Sequence, residues 1–125
     1  SAHAVILDPE GHVLQLASTY GSRAWGLPGG ALEPGETIHE ALARECLEEL
    51  GCSVAIRHLT GVYYHAAYNS QAFIFRCDLP RGAVIRLSAE HSAFRYFPLE
   101  ELGPVQRRRV DDCLSFSGAV VSARF

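Results

Sequence analysis

GGALEPGETIHEALARECLEELGC, Gly29 to Cys52, is the stretch on which the reading of this chain turns. Six of the 14 acidic residues, Glu33, Glu36, Glu40, Glu45, Glu48 and Glu49, crowd into it, with Arg44 alone to balance them. Thr37 followed by Glu40 is a capping-box pattern, and Gly51 after Leu50 is a stop signal, so the spacing predicts a helix of about four turns from Thr37 to Leu50. Counting about 100° per residue from Ile38, Glu48, Glu45 and Glu49 fall at about 280°, 340° and 20°. They are expected to share one face. Leu42, Cys46, Leu50, Ala43 and Leu47 fall at about 40° to 180°, a separate apolar stripe that would anchor the helix on a sheet.

On an exposed helix, like charges three or four residues apart cost only a few tenths of a kcal/mol, so an acidic solvated face is tolerable. In a partly enclosed site the repulsion rises to roughly 2–3 kcal/mol per pair at an effective dielectric near 20, and cations are needed. Hard divalent ions such as Mg²⁺ suit such oxygen ligands and often complete their shells with substrate phosphates. Upstream, WGLPGG ends in Gly29 and Gly30, which have no Cβ and let backbone approach an ion or a phosphate, or else form a plain loop.

Outward from the helix, HAVIL (His3–Leu7) and HVLQL (His12–Leu16) are strand-like and separated by DPEG, which predicts a hairpin. Ser18 to Ala24 reads as a polar loop. Residues 54–66 and 71–78 read as strands around a YNS turn, and LPRG breaks the chain again. Phe94 to Phe97 is expected to be the last strand and Val105 to Phe116 a terminal helix. This mixture of helices and strands predicts an α/β fold, helices packed on a mixed sheet. At 125 residues one domain over residues 1–125 is expected. Hydrophobic content of 48% and charged content of 20% argue against disorder, and no run reaches the length of a membrane span. Cys46, Cys52, Cys77 and Cys113 lack CxxC spacing, which argues for reduced thiols and a cytoplasmic location. A net charge of −3 gives no reason to expect a stable nucleic-acid or membrane partner, and the Arg107–Arg109 run is expected on a solvated helix face.

The whole spacing, Gly30, five residues, Glu36, seven residues, Arg44, Glu45, then Glu48, Glu49 and Gly51, resembles the signature box of the Nudix hydrolases. Seven fixed positions match; at roughly 1 in 15 per position, coincidence is on the order of one in a hundred million. Cys46 and Cys52 depart from it, standing where the family usually has a larger aliphatic residue. WGLPGG and AFRYFPLEEL also look like flanking segments common in that family.

The resemblance implies the Nudix fold, an α/β/α sandwich with a mixed sheet between helices. It also implies hydrolysis of a nucleoside diphosphate linked to another group, with a divalent metal, usually Mg²⁺ and otherwise Mn²⁺. By motif position Glu48 and Glu49 would be the main metal carboxylates, Glu45 a further ligand or an aide to the attacking water, and the Gly29 carbonyl would complete the site. Arg44 and Glu36 look like supports, Arg44 forking onto carboxylates and Glu36 orienting it. Glu90 lies where some members carry a loop carboxylate that binds metal or activates water; His91 and His65 are alternative bases. For substrate, Tyr68 would stack on a base, Arg23 would contact a phosphate, and Asp111 or Asp112 would read a base edge. A nucleoside triphosphate or dinucleoside polyphosphate is the favoured substrate, and a monomer or homodimer the expected state. The alternative is a non-catalytic Nudix-fold module that senses a nucleotide or RNA.

Overall fold

Thr37 starts the central helix as a capping box: its hydroxyl accepts from the Glu40 N–H at 3.1 Å, while the Glu40 carboxylate accepts from the Thr37 N–H at 2.9 Å. Two orphan donors are thereby satisfied, and Gly51, at φ +73°, closes the other end through its N–H to the Leu47 carbonyl. In this computed structural model, which describes residues 1–125, the elements are β1 (Ala2–Val5), β2 (Val13–Ser18), β3 (Trp25–Gly26), β4 (Gly29–Gly30), α1 (Ile38–Leu50), β5 (Ala55–His65), β6 (Ser70–Asp78), β7 (His91–Phe97), α2 (Pro104–Leu114) and β8 (Val121–Arg124). A short 3₁₀ turn, Leu99–Glu101, precedes α2.

Two sheets form. The larger is mixed, in the order β4-β1-β6-β5-β8, with β1 parallel to β6 and β5 parallel to β8. The smaller is antiparallel, in the order β3-β2-β7. Strand alternation sends Ala2, Ala4 and Ile6 to one face of the large sheet, where they pack with Leu42, Cys46 and Leu50 of α1. Val5 faces the other way, into a cluster with Tyr63, Ile74, and Val110 and Cys113 of α2. The α/β/α sandwich is therefore present, its helices on opposite faces of the mixed sheet.

Three expectations are corrected. The two N-terminal strands are not a hairpin of one sheet: they touch at a single bridge, Leu7 with Val13, and then diverge into different sheets. The turn itself is held by Asp8, whose Oδ1 accepts from the Glu10 and His12 N–H groups. Second, the strand at Phe94–Phe97 begins earlier, at His91, and is not the last, because β8 follows α2 and pairs with β5. Third, the buried stripe of α1 is rolled toward the acids relative to what the sequence implies. Ala41, Leu42, Cys46, Glu49 and Leu50 are buried, while Leu47 is 52% exposed. Glu49 thus belongs to the buried face.

All four cysteines are free, and Cys46, Cys77 and Cys113 are buried. Burial raises their thiol pKa values, that of Cys77 to about 12, which leaves them inert as nucleophiles. No helix is long and apolar enough to cross a membrane.

Candidate active site

The Pro28–Gly30 turn is placed by β1. Gly29 pairs with His3 and Gly30 with Ala2, and the Ala4 N–H donates to the Pro28 carbonyl at 2.9 Å. Gly29 is sterically required, and a side chain at Gly30 would have to displace the Glu45 carboxylate. A Cβ on Gly29, at φ +134°, would stand 2.1 Å from the Ala2 carbonyl oxygen, and one on Gly30 would stand 2.8 Å from the Glu45 carboxyl carbon. The backbone of β4 therefore lies directly against α1 and its acids.

From that turn the acids grade from interior to solvent. The Glu49 side chain is 6% exposed, that of Glu45 16%, and that of Glu48 57%. Glu49 Oε1 accepts the Gly29 N–H at 2.8 Å. Burial pushes its carboxyl up to about 7, against the lowering effect of the Gly29 hydrogen bond, and the charges of Glu45, Glu90 and Glu48 push the same way. Glu90 is exposed on the loop before β7, which is pinned where the Thr19 N–H donates to the Glu90 carbonyl at 2.9 Å. Its neighbour His91 points inward, Nε2 standing 3.8 Å from Glu49 Oε2 and Nδ1 buried without a partner.

Arg44 is the counter-charge. Its Nε donates to Glu36 Oε2 at 2.7 Å and its Nη2 to Glu36 Oε1 at 2.9 Å, a bidentate fork; Nη1 donates to Glu45 at 3.0 Å and to Glu48 at 3.4 Å. Nη2 also reaches the Ala31 carbonyl at 3.1 Å. The guanidinium beside it holds the Glu36 carboxyl down to about 2, helped by the Glu33 N–H. Glu36 is thus a fixed anion that clamps Arg44, and Arg44 bridges the PGG turn to α1.

In this arrangement no three carboxylate or imidazole side chains converge at metal-holding spacing, because Glu45 and Glu48 turn their oxygens to Arg44. The donor set nevertheless fits a hard divalent cation: carboxylate oxygens around a buried Glu49 whose charge is disfavoured by three neighbouring acids. Glu45, Glu48 and Glu49 would hold it. What Gly29 is seen to give Glu49 is its N–H rather than its carbonyl.

The residues singled out for substrate are scattered. Arg23 is exposed in the loop after β2, at φ +55°. Tyr68 is 79% exposed on the β5–β6 turn, its ring 6.4 Å from that of His65. Asp111 is exposed and paired with Arg107, and Asp112 accepts from the Tyr63 hydroxyl at 2.8 Å and from Arg108 at 2.8 Å, which ties α2 to β5. The basic run is not one solvated face: Arg107 and Arg108 pair with acids one turn on, whereas Arg109 is buried beneath α2. His65 stands with Arg109, away from the acids, and not beside Glu49. Sequence reading missed His3 and Arg109; the signals were an imidazole inside the apolar run HAVIL and a third arginine one position round the helix from two paired ones.

Comparison with known proteins adds the following. A family model described as NUDIX domain matches residues 1–113. A MutT-like protein of Streptomyces ambofaciens is 36% identical over 102 residues, which cover 82% of this chain and 65% of that protein. The 8-oxo-dGDP phosphatase NUDT18 of Homo sapiens is 37% identical over 92 residues, covering 72% of this chain and 28% of that protein. The chain therefore spans less than two thirds of the length of these curated relatives. An ADP-ribose pyrophosphatase from Streptococcus suis superposes with a TM-score of 0.78 at 20% identity, covering 99% of this chain and 96% of that one, a likeness of fold.

Proposed function

The chain belongs to the Nudix family, and from that premise we propose that it is a divalent-metal-dependent pyrophosphohydrolase acting on a nucleoside diphosphate derivative. The observation that carries this reading is Glu49: a carboxylate buried on a backbone N–H, pressed by the charges of Glu45, Glu48 and Glu90. A nucleoside triphosphate or dinucleoside polyphosphate is the favoured substrate; the human relative is named for a nucleoside diphosphate, 8-oxo-dGDP, which shares the diphosphate linkage.

Mg²⁺ or Mn²⁺ held by Glu45, Glu48 and Glu49 would neutralise the diphosphate and acidify a coordinated water. The chain supplies the rest. The Gly29 N–H orients Glu49, and the Glu36 clamp keeps Arg44 against Glu45 and Glu48, so that these carboxylates are held without rotamer search. Glu90 is the proposed acceptor of the water's proton, at the mouth of the site on a pinned loop, with His91 behind it against Glu49. Water adds to one phosphorus, the bridging oxygen leaves with the other phosphoryl group, and no covalent enzyme intermediate is needed.

Release of phosphate or nucleotide from a panel of nucleotides, with and without Mg²⁺, tests the reading. Turnover that requires the metal is expected, and E48Q or E49Q should lower kcat by about 100-fold or more with unchanged circular dichroism. No turnover of any panel member would overturn it, and tight binding without product would favour a sensing module instead.

A further inference from the structure

Arg109 is 8% exposed, and it is a buried cation that no carboxylate answers. Its Nη1 donates to the neutral Gln106 Oε1 at 3.2 Å, its Nη2 meets His65 Nε2, and its Nε is buried with no partner at all. The nearest acids on the same helix are committed elsewhere, Asp111 to Arg107 and Asp112 to Arg108 and Tyr63. Removing a charge from water costs several kcal/mol unless it is paired and hydrogen-bonded, and an unmet buried N–H adds to that. Such an arrangement is expected where a partner of opposite charge comes from outside the chain.

The surroundings say where that partner comes from. His65 gives Arg109 a ring nitrogen, which requires a neutral imidazole, and His3 is buried with Arg109 and His65 as its charged and polar neighbours. His3 stands opposite Gly29 in the β1–β4 ladder, a Cα spacing of roughly 5 Å. The Arg109 cluster therefore lies on the α2 side of the same strand pair whose β4 backbone carries Glu49, and Tyr68 stands at its edge, 6.4 Å from His65.

We propose that Arg109, with His65 and His3, forms an oxyanion subsite that binds a negatively charged group, a phosphoryl or a carboxylate, on the part of the substrate remote from the cleaved diphosphate. A guanidinium is the suitable reader: it stays charged when buried and offers planar N–H donors to oxyanions. The subsite selects diphosphate derivatives that carry an additional anionic group over uncharged counterparts. This selection rests on the hydrolase reading above; the anion site itself does not.

The first test is made without metal, so that the acids take no part. Inorganic phosphate is titrated in EDTA at constant pH and ionic strength while the histidine ring resonances are followed by NMR, with acetate as a parallel arm. At about 10 mM phosphate the rings of His3 and His65 should shift while those of His12, His39 and His58 do not. A shift with phosphate and not acetate identifies a phosphoryl site, and the reverse a carboxylate site. Arg109→Met should abolish the response; because that residue is buried, Arg109→Lys serves as well, keeping charge while losing the fork, with binding weakened about tenfold. No shift with either anion, or equal shifts in folded Arg109→Lys, overturns the proposal. The second test compares KM for UDP-glucuronate with UDP-glucose, and for NADP with NAD. Wild type should favour the anionic member about tenfold, and Arg109→Lys should bring the ratio toward one. Equal KM values in wild type would overturn the substrate role. If no nucleotide is turned over and phosphate still moves both rings, the hydrolase reading falls and the anion site stands.

Discussion

Without metal at pH 8, Glu49 works against the fold that holds it. Its carboxyl is pushed up from 4.5 to about 7, so between those values the folded protein holds a proton that the unfolded chain has lost. Stability therefore falls as pH rises through that window and stays reduced above it. E49Q removes the charge while keeping an acceptor for the Gly29 N–H, and should stabilise the metal-free protein by about 1–3 kcal/mol at pH 8. The gain should vanish below about pH 4.5, where the Glu49 carboxyl is protonated in the folded and the unfolded chain alike. Thermal melts of the two proteins in EDTA, from pH 4 to 8, check this, and a gain independent of pH would exclude the mechanism. Glu36 has the opposite sign: held down to about 2, it contributes stability present above its ordinary value and lost as pH falls toward 2. At Arg44, Lys keeps the charge and loses the Glu36 fork. R44K should lower kcat by about 10–100-fold with little change in KM, because it disturbs how carboxylates are held and not what binds. Steady-state kinetics on any substrate found active would separate the two effects. The spacing of Glu36, Arg44, Glu45 and Glu48 was legible in the sequence because it is local, within two turns of helix and a short loop. The burial of Glu49 and Arg109 was not, since it depends on how each helix rolls on its sheet.

The capped helix is the element that sequence described best. Thr37, Glu40 and Gly51 act within their own turns and need no tertiary partner to be read. T37A should cost about 1 kcal/mol, seen as a lower melting temperature with the spectrum of the folded state intact. The two-residue strand β4 is the opposite case. Its pairing joins residues nearly thirty positions apart in the chain, Ala2 with Gly30, and nothing local announces it. Yet its first residue tolerates no side chain: G29A should destabilise by more than about 2 kcal/mol, for clash and backbone strain together. G30A should instead displace the Glu45 carboxylate and lower activity by about tenfold or more while the fold survives. Comparing melts with rates for the two variants tests the distinction. The N-terminal strands misled for a related reason: a Pro-Gly turn fixes the reversal of the chain, but which neighbour each strand keeps is decided by β6 and β7, far along the sequence.

At the scale of the molecule, the mixed order of strands and helices was enough to pack helices on a mixed sheet, while their place on both of its faces came from the family resemblance. It could not show that the strands divide between two sheets, nor that β8 returns after α2 to lie parallel to β5. That division has a mechanical meaning for the site. Gly29 and the acids of α1 ride on the large sheet, whereas His91 and the loop carrying Glu90 ride on the small one. Any shear between the sheets would change the width of the gap across which Glu49 faces His91. The joint that resists it is made of the Leu7–Val13 bridge, the Leu27–Pro28 link between β3 and β4, and the core side chains that both sheets share. Loosening that seam by V13A, on the α2 side of the core and not among the acids of α1, should lower kcat in steady-state assays more than it lowers the melting temperature.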